Sequence, residues 1–391
     1  MKLLFAHDNR FKVDEKGRLF SGGSFSNSVF ERYLDVCDEL IVVGRCETIS
    51  CEDTSGYNPI NLRSVTFVPM ENTNSIAGVL KRPFVQARMD EIVSGCDGVI
   101  CRGSALGNMA AKAARRQGKP YLREVVGCPF DALWNHGSLL GKLYAPYAFL
   151  RARLHIWQSD YTIYVTDEFL QKRYPTKGRW IGCSDVSLQE FDERILERRV
   201  SKIQNKSELE PIVLGTIGAT HVKYKGQHYV IKALAKLKQA GLSNFQYQLV
   251  GDGDQGYLKS VAQKYDVTEQ VVFLGKLTHQ DVFHWLDGID VYIQPSKTEG
   301  LPRALIEAMS RGLPCLGSQA GGIPELLEED CLFSITRRTV DEIADLLESL
   351  TRDSMERQAR HNFEESRKYD EVVLNHRRRQ FLREVFLFDV L

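Results

Sequence analysis

Short apolar runs alternate along the chain with longer stretches in which apolar side chains recur at helical spacing. The apolar runs are residues 2–7, 39–44, 65–69, 98–102, 120–127, 161–166 and 179–182 in the first half, and 211–218, 245–251, 271–275, 291–296 and 314–318 in the second. Helical patterns separate the second-half runs, near 227–240, 255–265, 279–287, 303–311 and 340–350. This alternation predicts an α/β protein with parallel sheets that helices cover on both faces.

The two series of strands indicate two domains. A chain of 391 residues is too long for one ordinary hydrophobic core. Residues 187–211, which connect the series, are highly charged and end in a proline. We therefore predict doubly wound, Rossmann-like domains at 1–190 and 205–365, and a last helix at about 365–391 that packs back on the first. Ligands of open α/β sheets bind outside the carboxyl ends of the strands, so we expect the site in the cleft between the domains.

Composition narrows the possible partners and the location. Hydrophobic residues make up 43% of the chain and charged residues 26%, which are the proportions of a globular protein. The formal net charge is zero, which argues against nucleic acid as a partner. The nine cysteines form no CxxC pair, as is typical of a reducing compartment. No apolar stretch reaches about 18 residues, and the sequence predicts a cytoplasmic protein.

One region departs from this even charge. Between Arg102 and Gln158 there are nine basic residues and two acidic ones, and no acid lies between Asp131 and Asp160. Segment 132–159 combines basic with apolar and aromatic residues, which suits the surface of an anionic membrane. A core helix with a basic, solvated face is an equally good interpretation. Under the first interpretation the protein lies peripherally at the inner face of the cell membrane.

The stretch 296–312, SKTEGLPRALIEAMSRG, carries the clearest chemical signal. Ser296 ends a predicted strand, and Pro302 fits the first turn of the helix that follows. Between them, the backbone amides of Gly300 and Leu301 lie at a helix N-terminus, where the helix dipole favours anions. We therefore expect the phosphates of a ligand at this junction.

Two glutamates flank the junction, with seven residues between them. Glu299 lies just outside the carboxyl end of the strand, and Glu307 lies about 8 Å further along the helix axis. Carboxylates so placed can accept hydrogen bonds from two sets of hydroxyl groups on one extended ligand. A polar turn and a solvated helix face would explain either glutamate alone, but they explain the pair less well.

The stretch PSKTEGLPRALIEAMSRGLPCLGSQAGGIPELL, together with YKGQHYVIKAL, LVGDGD and VVFLGKL, resembles the signature of the family 4 retaining glycosyltransferases. The resemblance covers most of residues 211–330. It implies the GT-B fold, in which two Rossmann-like domains face each other across a cleft, and a metal-independent transfer of sugar from a nucleotide-sugar. PYLREVVGCPFDALWNHG (120–137) and YVTDEFLQKRYPTKG (164–178) also resemble members that build bacterial capsule and other surface polysaccharides.

The resemblance assigns roles to individual residues. Glu299 would bind the donor sugar and Glu307 the hydroxyl groups of the nucleotide ribose. Lys225 would contact the donor diphosphate and stabilise the leaving oxygen. Where the family usually has an arginine, this chain has Ala219. Either Lys223 supplies the missing cation, or Lys225 and helix-end amides hold the diphosphate without it.

The other expected contacts divide between the donor and the acceptor. Lys276 and Leu277 would meet the nucleobase through their backbone. Gly22 and Gly23 would let the donor phosphates approach closely, although an ordinary flexible loop is the alternative. In full, the expected donor-binding residues are Gly22, Gly23, Lys223, Lys225, Lys276, Leu277, Ser296, Glu299, Gly300, Leu301 and Glu307, with Glu299 and Lys225 as the catalytic pair. The expected acceptor-side residues are His7, Arg102, Glu124 and Asp131.

The stretch GDGDQG, residues 251–256, matches the glycine pattern of a dinucleotide site. It follows the second strand of its domain rather than the first, and no acid follows at the required distance, so we do not expect NAD. Its Asp-x-Asp is a weak metal signal on its own. We therefore expect neither a metal nor a cofactor.

The sequence thus predicts a retaining glycosyltransferase of bacterial surface polysaccharide synthesis. The donor would be a nucleotide-sugar, with UDP favoured over GDP, and the acceptor a glycan or a lipid-diphosphate-linked oligosaccharide. Two alternatives stay open. A sugar-nucleotide epimerase of the same fold would need no acceptor, and a non-catalytic protein would bind nucleotide-sugar or glycan without releasing a nucleotide.

Overall fold

The computed structural model of the chain describes residues 1–22, 25–52, 54, 56–73, 76–135, 137–186, 188 and 191–387, the side chains of 76 and 77 excepted. These residues form two sheets, each flanked by helices. The predicted α/β class is confirmed.

The first sheet contains nine strands within the described residues. They are β1 (Lys2–Asp14), β2 (Leu19–Ser21), β3 (Glu39–Ile49), β4 (Asn58–Ile60), β5 (Val65–Met70), β6 (Gly98–Arg102), β7 (Tyr121–Val125), β8 (Tyr161–Tyr164) and β9 (Arg179–Gly182). The parallel part runs in the order β5-β3-β1-β6-β7-β8-β9, whereas β2 and β4 add antiparallel pairs beside β1. The apolar pattern predicted the parallel strands. It missed β2 and β4. Strands β1 and β3 continue beyond their apolar runs, and β2 pairs with this extension of β1.

The second sheet is parallel throughout its described strands. They are β10 (Ile212–Ile217), β11 (Phe245–Val250), β12 (Val271–Gly275), β13 (Val291–Gln294), β14 (Cys315–Ser318) and β15 (Leu332–Phe333), in the order β12-β11-β10-β13-β14-β15. The order reverses between β10 and β13. In such sheets a ligand binds outside the carboxyl ends of the strands, at the reversal.

The helices cover both sheets. On the first-sheet side they are α1 (Asn27–Leu34), α2 (Ile76–Leu80), α3 (Arg82–Ser94), α4 (Ala105–Arg116), α5 (Pro129–Asn135), α6 (Leu139–Trp157) and α7 (Phe169–Arg173). The later helices of the chain are α8 (Glu193–Asn205), α9 (Gln227–Gln239), α10 (Gly256–Lys264), α11 (His279–Gly288), α12 (Arg303–Met309), α13 (Thr339–Glu348), α14 (Arg352–Ser366) and α15 (Glu371–Leu387). Within the described part of the chain, none of these helices has the length and apolarity needed to cross a membrane.

Two helices connect the halves of the molecule. In α8, the buried guanidinium of Arg199 donates to the carbonyl oxygens of Leu286 and Ile289, which fixes this helix to the second-sheet side. In α15, Phe386 packs against Gly98 of the first sheet, and Arg378 donates to the Ser184 carbonyl oxygen. The chain therefore crosses from the first sheet to the second and returns.

Direct contacts between the two sides surround the cleft. The Glu325 carboxylate accepts hydrogen bonds from the backbone amides of Asp167 and Phe169, each at 2.6 Å. Gly300 lies so close to the first-sheet side that an added Cβ would stand 2.2 Å from the Val126 carbonyl oxygen. Only glycine allows this approach, so Gly300 helps to set the distance between the two sides of the cleft.

Candidate active site at the cleft

Two loops join at the carboxyl ends of the neighbouring strands β10 and β13. The Lys297 amide donates to the Tyr224 carbonyl oxygen at 2.7 Å. Gly226 has a φ of 77°, and a Cβ there would lie 1.8 Å from the Pro295 carbonyl oxygen. Any larger residue would push the loops apart, so this glycine is required for their contact.

The two loops carry a lysine and a glutamate that form an ion pair. Lys225 Nζ lies 2.7 Å from Glu299 Oε1, and their side chains are 22% and 13% exposed. Gln294 Nε2 donates to the same carboxylate oxygen at 3.0 Å, and its amide oxygen accepts from the Tyr292 hydroxyl. Ser296, fully buried, accepts a further hydrogen bond from Gln294. This network fixes the orientation of the Glu299 carboxylate at the carboxyl end of β13.

Glu307 lies in a different environment from Glu299. It stands on α12, whose residues Leu305, Ile306, Ala308 and Met309 are buried. Burial raises the pKa of Glu307, and the charges of Arg303 and His279 lower it only in part. None of the described residues donates a hydrogen bond to its carboxylate. The group can therefore accept hydrogen bonds from the hydroxyl groups of a ligand.

The two lysines that could hold a diphosphate are placed differently. Lys225 pairs with Glu299, whereas Lys223 Nζ lies 4.5 Å from the centre of the Tyr257 ring. At the position of the family's usual arginine, the Ala219 carbonyl oxygen accepts a hydrogen bond from Gln227 at 3.3 Å. The structure thus joins Lys225, and not Lys223, to the glutamate network.

The other expected donor residues come from several elements. Leu301 is buried and lines the cleft, while Lys276 is exposed just after β12, with Leu277 half-buried beside it. Gly22 has open space around it, as a close approach by phosphate would require. Gly23 lies outside the described residues.

The GDGDQG stretch has a structural explanation. At Gly253 an added Cβ would lie 2.0 Å from His221 Nδ1, and the Asp252 carbonyl oxygen accepts a hydrogen bond from the Thr220 amide. The Asp254 carboxylate accepts from the Gly256 amide at 2.9 Å. The glycines and aspartates therefore build the loop that follows β11 and pack it on the loop that follows β10.

A cavity of 330 Å³, here called the cleft cavity, opens between the two sides. His7 and Arg102 line it from the first sheet, and Leu301 and Arg303 line it from the opposite side. Burial, with the positive charge of Arg102, lowers the pKa of His7 to about 4. His7 is thus neutral at pH 7 and can exchange hydrogen bonds with a hydroxyl group.

The buried arginine of the cleft cavity, Arg102, has carboxylate partners. Arg102 forms an ion pair with Asp185 and lies 3.6 Å from Glu124 Oε2, and both Arg102 and Glu124 are buried. The Tyr33 hydroxyl donates to Glu124 Oε1 at 2.7 Å. The structure therefore brings His7, Arg102 and Glu124 together. Asp131, the fourth expected acceptor residue, instead pairs with Arg173 on α7 at 2.9 Å.

Comparison with known proteins now identifies the family. The model of a family described as glycosyl transferases group 1 matches residues 197–369. Protein CapJ of Staphylococcus aureus is 34% identical over 340 residues, which cover 85% of this chain and 82% of that protein. The chain belongs to the group 1 glycosyltransferases. The amylovoran biosynthesis glycosyltransferase AmsK of Erwinia amylovora is 37% identical over 113 residues, which cover 27% of this chain and 28% of AmsK.

Solved structures confirm the fold of this glycosyltransferase. The crystal structure of HepE from Anabaena in complex with UDP matches with a TM-score of 0.65 at 18% identity, over 98% of this chain and all of the other. The predicted GT-B arrangement of two Rossmann-like domains is therefore confirmed.

Sequence reasoning missed three residues of the site. Gln294 donates to Glu299, Tyr292 donates to Gln294, and Asp185 pairs with Arg102. Tyr292 and Gln294 gave a signal, since they are polar groups two residues apart in the otherwise apolar run VYIQPS and so face the same side of a strand. Asp185 gave none, because its partner lies 83 residues earlier in the chain.

Proposed function

We propose that this glycosyltransferase moves a sugar from a nucleotide-sugar to a hydroxyl group of a glycan during synthesis of a bacterial surface polysaccharide, with retention of the anomeric configuration. The observation that carries the proposal is the contrast between the two glutamates. Glu299 is fixed by Lys225 and Gln294, whereas Glu307 is half-buried and accepts no hydrogen bond from any described residue. The fixed carboxylate of Glu299 suits the sugar of a donor, and the carboxylate of Glu307, which has no hydrogen-bond donor, suits the ribose of the same donor.

Each donor group has a proposed partner. The ribose hydroxyls donate to Glu307, and the diphosphate binds Lys225, which can exchange Glu299 for phosphate because both are good anionic partners for an ammonium group. Glu299 orients the sugar ring and does not act as a nucleophile. UDP is the proposed nucleotide, supported by the UDP bound to HepE, and GDP is the alternative.

The proposed chemistry needs no metal. The acceptor hydroxyl attacks the anomeric carbon on the face that the nucleoside diphosphate leaves, the bond from that carbon to the phosphate oxygen breaks, and the hydroxyl proton passes to the leaving phosphate. Lys225 stabilises the negative charge that develops on the leaving oxygen. Addition of EDTA should therefore leave the transfer rate unchanged.

The acceptor is proposed to enter from the first-sheet side of the cleft, where His7 and Arg102 lie. We propose a lipid-linked glycan, held while segment 132–159 contacts the inner face of the cell membrane. Exposed apolar side chains of α6, among them Leu140 and Leu143, support this. The relative AmsK, named for amylovoran biosynthesis, supports a polysaccharide product.

Two substitutions test the donor assignment. Glu307→Gln should weaken UDP binding by about tenfold or more, because charge-assisted hydrogen bonds to the ribose are lost. Glu299→Gln should leave UDP binding nearly intact but slow transfer by about a hundredfold, because the sugar is no longer held in its reactive position. Calorimetry with UDP and GDP measures binding. UDP release from a panel of UDP-sugars measures turnover, and NMR of the glycosylated product gives the anomeric configuration of the new bond.

The matched control is Glu348→Gln on α13, an exposed glutamate far along the chain from the site. It should change neither binding nor turnover. Unaltered UDP affinity in Glu307→Gln would refute the ribose contact. A product of inverted configuration would refute retention, and UDP release that stays at the wild-type rate in Glu299→Gln would refute the role of that carboxylate.

A further inference from the structure

Helix α6 exposes a continuous apolar face. Its side chains recur every three or four residues and therefore lie along one side of the helix. They are Leu139, Leu143, Tyr147, Leu150 and Leu154, with exposed fractions of 74%, 72%, 55%, 64% and 54%. These five residues are called the α6 stripe. Contiguous exposed apolar surface of this kind marks a site of interaction.

A second cavity, of 430 Å³, is lined by another face of α6 and is called the α6 cavity. Tyr144 of its lining packs on Tyr147 of the stripe, with ring centroids 5.2 Å apart. Arg151 and His155 reach it from α6. Arg123 reaches it from β7 and is only 3% exposed, and Arg82 reaches it from α3. Three guanidinium groups and an imidazole thus line one cavity.

The positive charge of the α6 cavity has no carboxylate partner among the described residues that line it. Arg123 donates to Ser159 Oγ at 2.9 Å and to Asn108 Oδ1 at 2.8 Å, which are both neutral acceptors. Glu124 is the one acid in the lining, but alternation along β7 turns its side chain to the opposite face of the sheet. There its carboxylate contacts Tyr33 and Arg102.

This charge affects the groups inside the cavity. Burial lowers the pKa of Arg123. Burial, together with the charges of Arg123, Arg151 and Arg115, lowers the pKa of His155 to about 4. The guanidinium groups therefore make any further positive charge in the cavity unfavourable. An anion in the cavity would relieve this repulsion and gain charge-assisted hydrogen bonds from Arg123 and Arg151.

The position of the cavity indicates which anion it binds. The contact of Tyr144 with Tyr147 connects the cavity to the α6 stripe. Val126 lines both this cavity and the cleft cavity, so the two cavities are neighbours. A ligand that spans these places has a hydrocarbon at one end, a diphosphate in the middle and a sugar at the other end. The volume of the cavity is at the lower end of the range of small-molecule sites.

We propose that the α6 cavity binds the diphosphate of a lipid-diphosphate-linked acceptor, whose hydrocarbon chain lies along the α6 stripe and whose glycan reaches the cleft past Val126. This inference rests on the proposed function, because it names the acceptor of the same reaction. Arg123 and Arg151 bind the phosphates, and the stripe selects a lipid over a free phosphate anion.

The test is calorimetry on the full chain saturated with UDP, so that the donor site does not take up the probes. The probes are farnesyl diphosphate, below its micellar concentration, and inorganic pyrophosphate. Arg151→Gln should weaken the binding of both probes by about tenfold or more, since a charge-assisted contact is lost, and Arg151→Lys should restore part of the affinity. Leu150→Gln should weaken the binding of farnesyl diphosphate and leave that of pyrophosphate unchanged. Arg153→Gln, on the same helix but outside the cavity lining, should change neither.

A second readout locates the anion. Bound pyrophosphate should raise the pKa of His155 from about 4, measured by NMR titration of the imidazole. The proposal is overturned if neither probe binds or if the His155 pKa does not move. It is also overturned if Arg153→Gln loses as much affinity for the probes as Arg151→Gln does. Pyrophosphate that binds as tightly as farnesyl diphosphate would overturn the lipid part. Failure of UDP to bind in the same samples would instead count against the proposed function, because the Arg151 and His155 readouts do not depend on UDP.

Discussion

The cleft cavity and the α6 cavity lie on the two sides of Val126 and differ in how the most deeply buried arginine of each is paired. In the cleft cavity, Arg102 has the carboxylates of Asp185 and Glu124 beside it. In the α6 cavity, Arg123 has only neutral hydrogen-bond partners. Both guanidiniums are buried and come from neighbouring strands of one sheet.

The difference shows how strongly each buried arginine attracts an anion. A guanidinium with carboxylate partners adds little net charge, so Arg102 attracts a further anion only weakly. A buried guanidinium with neutral partners keeps its field, and in a low dielectric that field favours an anion. The partner of a buried arginine therefore indicates its role better than its burial does. Three substitutions test this comparison.

The largest expected effect is that of Glu124→Gln in the cleft cavity. The change removes a buried negative charge beside Arg102, and loss of one partner of a buried pair is costly. We expect the free energy of unfolding to fall by about 3 kcal/mol, measured by urea denaturation. The remaining pair between Arg102 and Asp185 keeps the loss at the lower end of such values.

The matched control is Glu91→Gln. Glu91 pairs with Arg88 on the surface of α3, where the two side chains are 69% and 55% exposed. Exposed pairs contribute little, so the loss should stay below about 0.5 kcal/mol. Equal losses in the two variants would show that the pairing in the cleft cavity is not stabilising.

The second-sheet side was largely predictable from the sequence. Its strands are short apolar runs in regular alternation with helices, and its functional residues sit in one local stretch, from Ser296 to Glu307. The ion pair of Lys225 with Glu299 could not be predicted in this way. It depends on the close contact of Gly226 with Pro295, which joins two loops about 70 residues apart.

The first-sheet side was predictable as a set of strands and, at the cleft, as the group His7, Arg102 and Glu124. Its cations come from separate elements, as Arg82, Arg123 and Arg151 do, and composition alone showed that the region is basic. Which cations have carboxylate partners depends on the face of the sheet from which each side chain projects. Arg123 and Glu124 are adjacent in sequence but face opposite sides.

The second effect concerns acid stability. The pKa of His7 in the cleft cavity and that of His155 in the α6 cavity are both lowered to about 4, against an ordinary value of 6.5. Between these values the unfolded chain binds protons that the folded chain does not, so the free energy of unfolding falls as the pH falls from 6.5 to 4. His155→Gln should reduce this slope by up to about 1.4 kcal/mol per pH unit.

Urea denaturation at several pH values in this window measures the slope, with His7→Gln as the matched variant. Both variants should flatten it. Inorganic pyrophosphate should flatten the wild-type slope and that of His7→Gln but not that of His155→Gln, because it raises the pKa of His155 alone. A slope that His155→Gln leaves unchanged would show that the imidazole is protonated in the folded chain.

The smallest expected effect is that of Arg123→Met, although Arg123 is as deeply buried as Glu124. The substitution loses the hydrogen bonds to Ser159 and Asn108, but it also removes an uncompensated buried charge, and these contributions oppose each other. We expect the free energy of unfolding to change by about 1 kcal/mol or less, while the pKa of His155 rises. Urea denaturation and imidazole NMR measure the two quantities. A loss as large as that of Glu124→Gln, with an unmoved His155 pKa, would show that both cavities hold their cations in the same way.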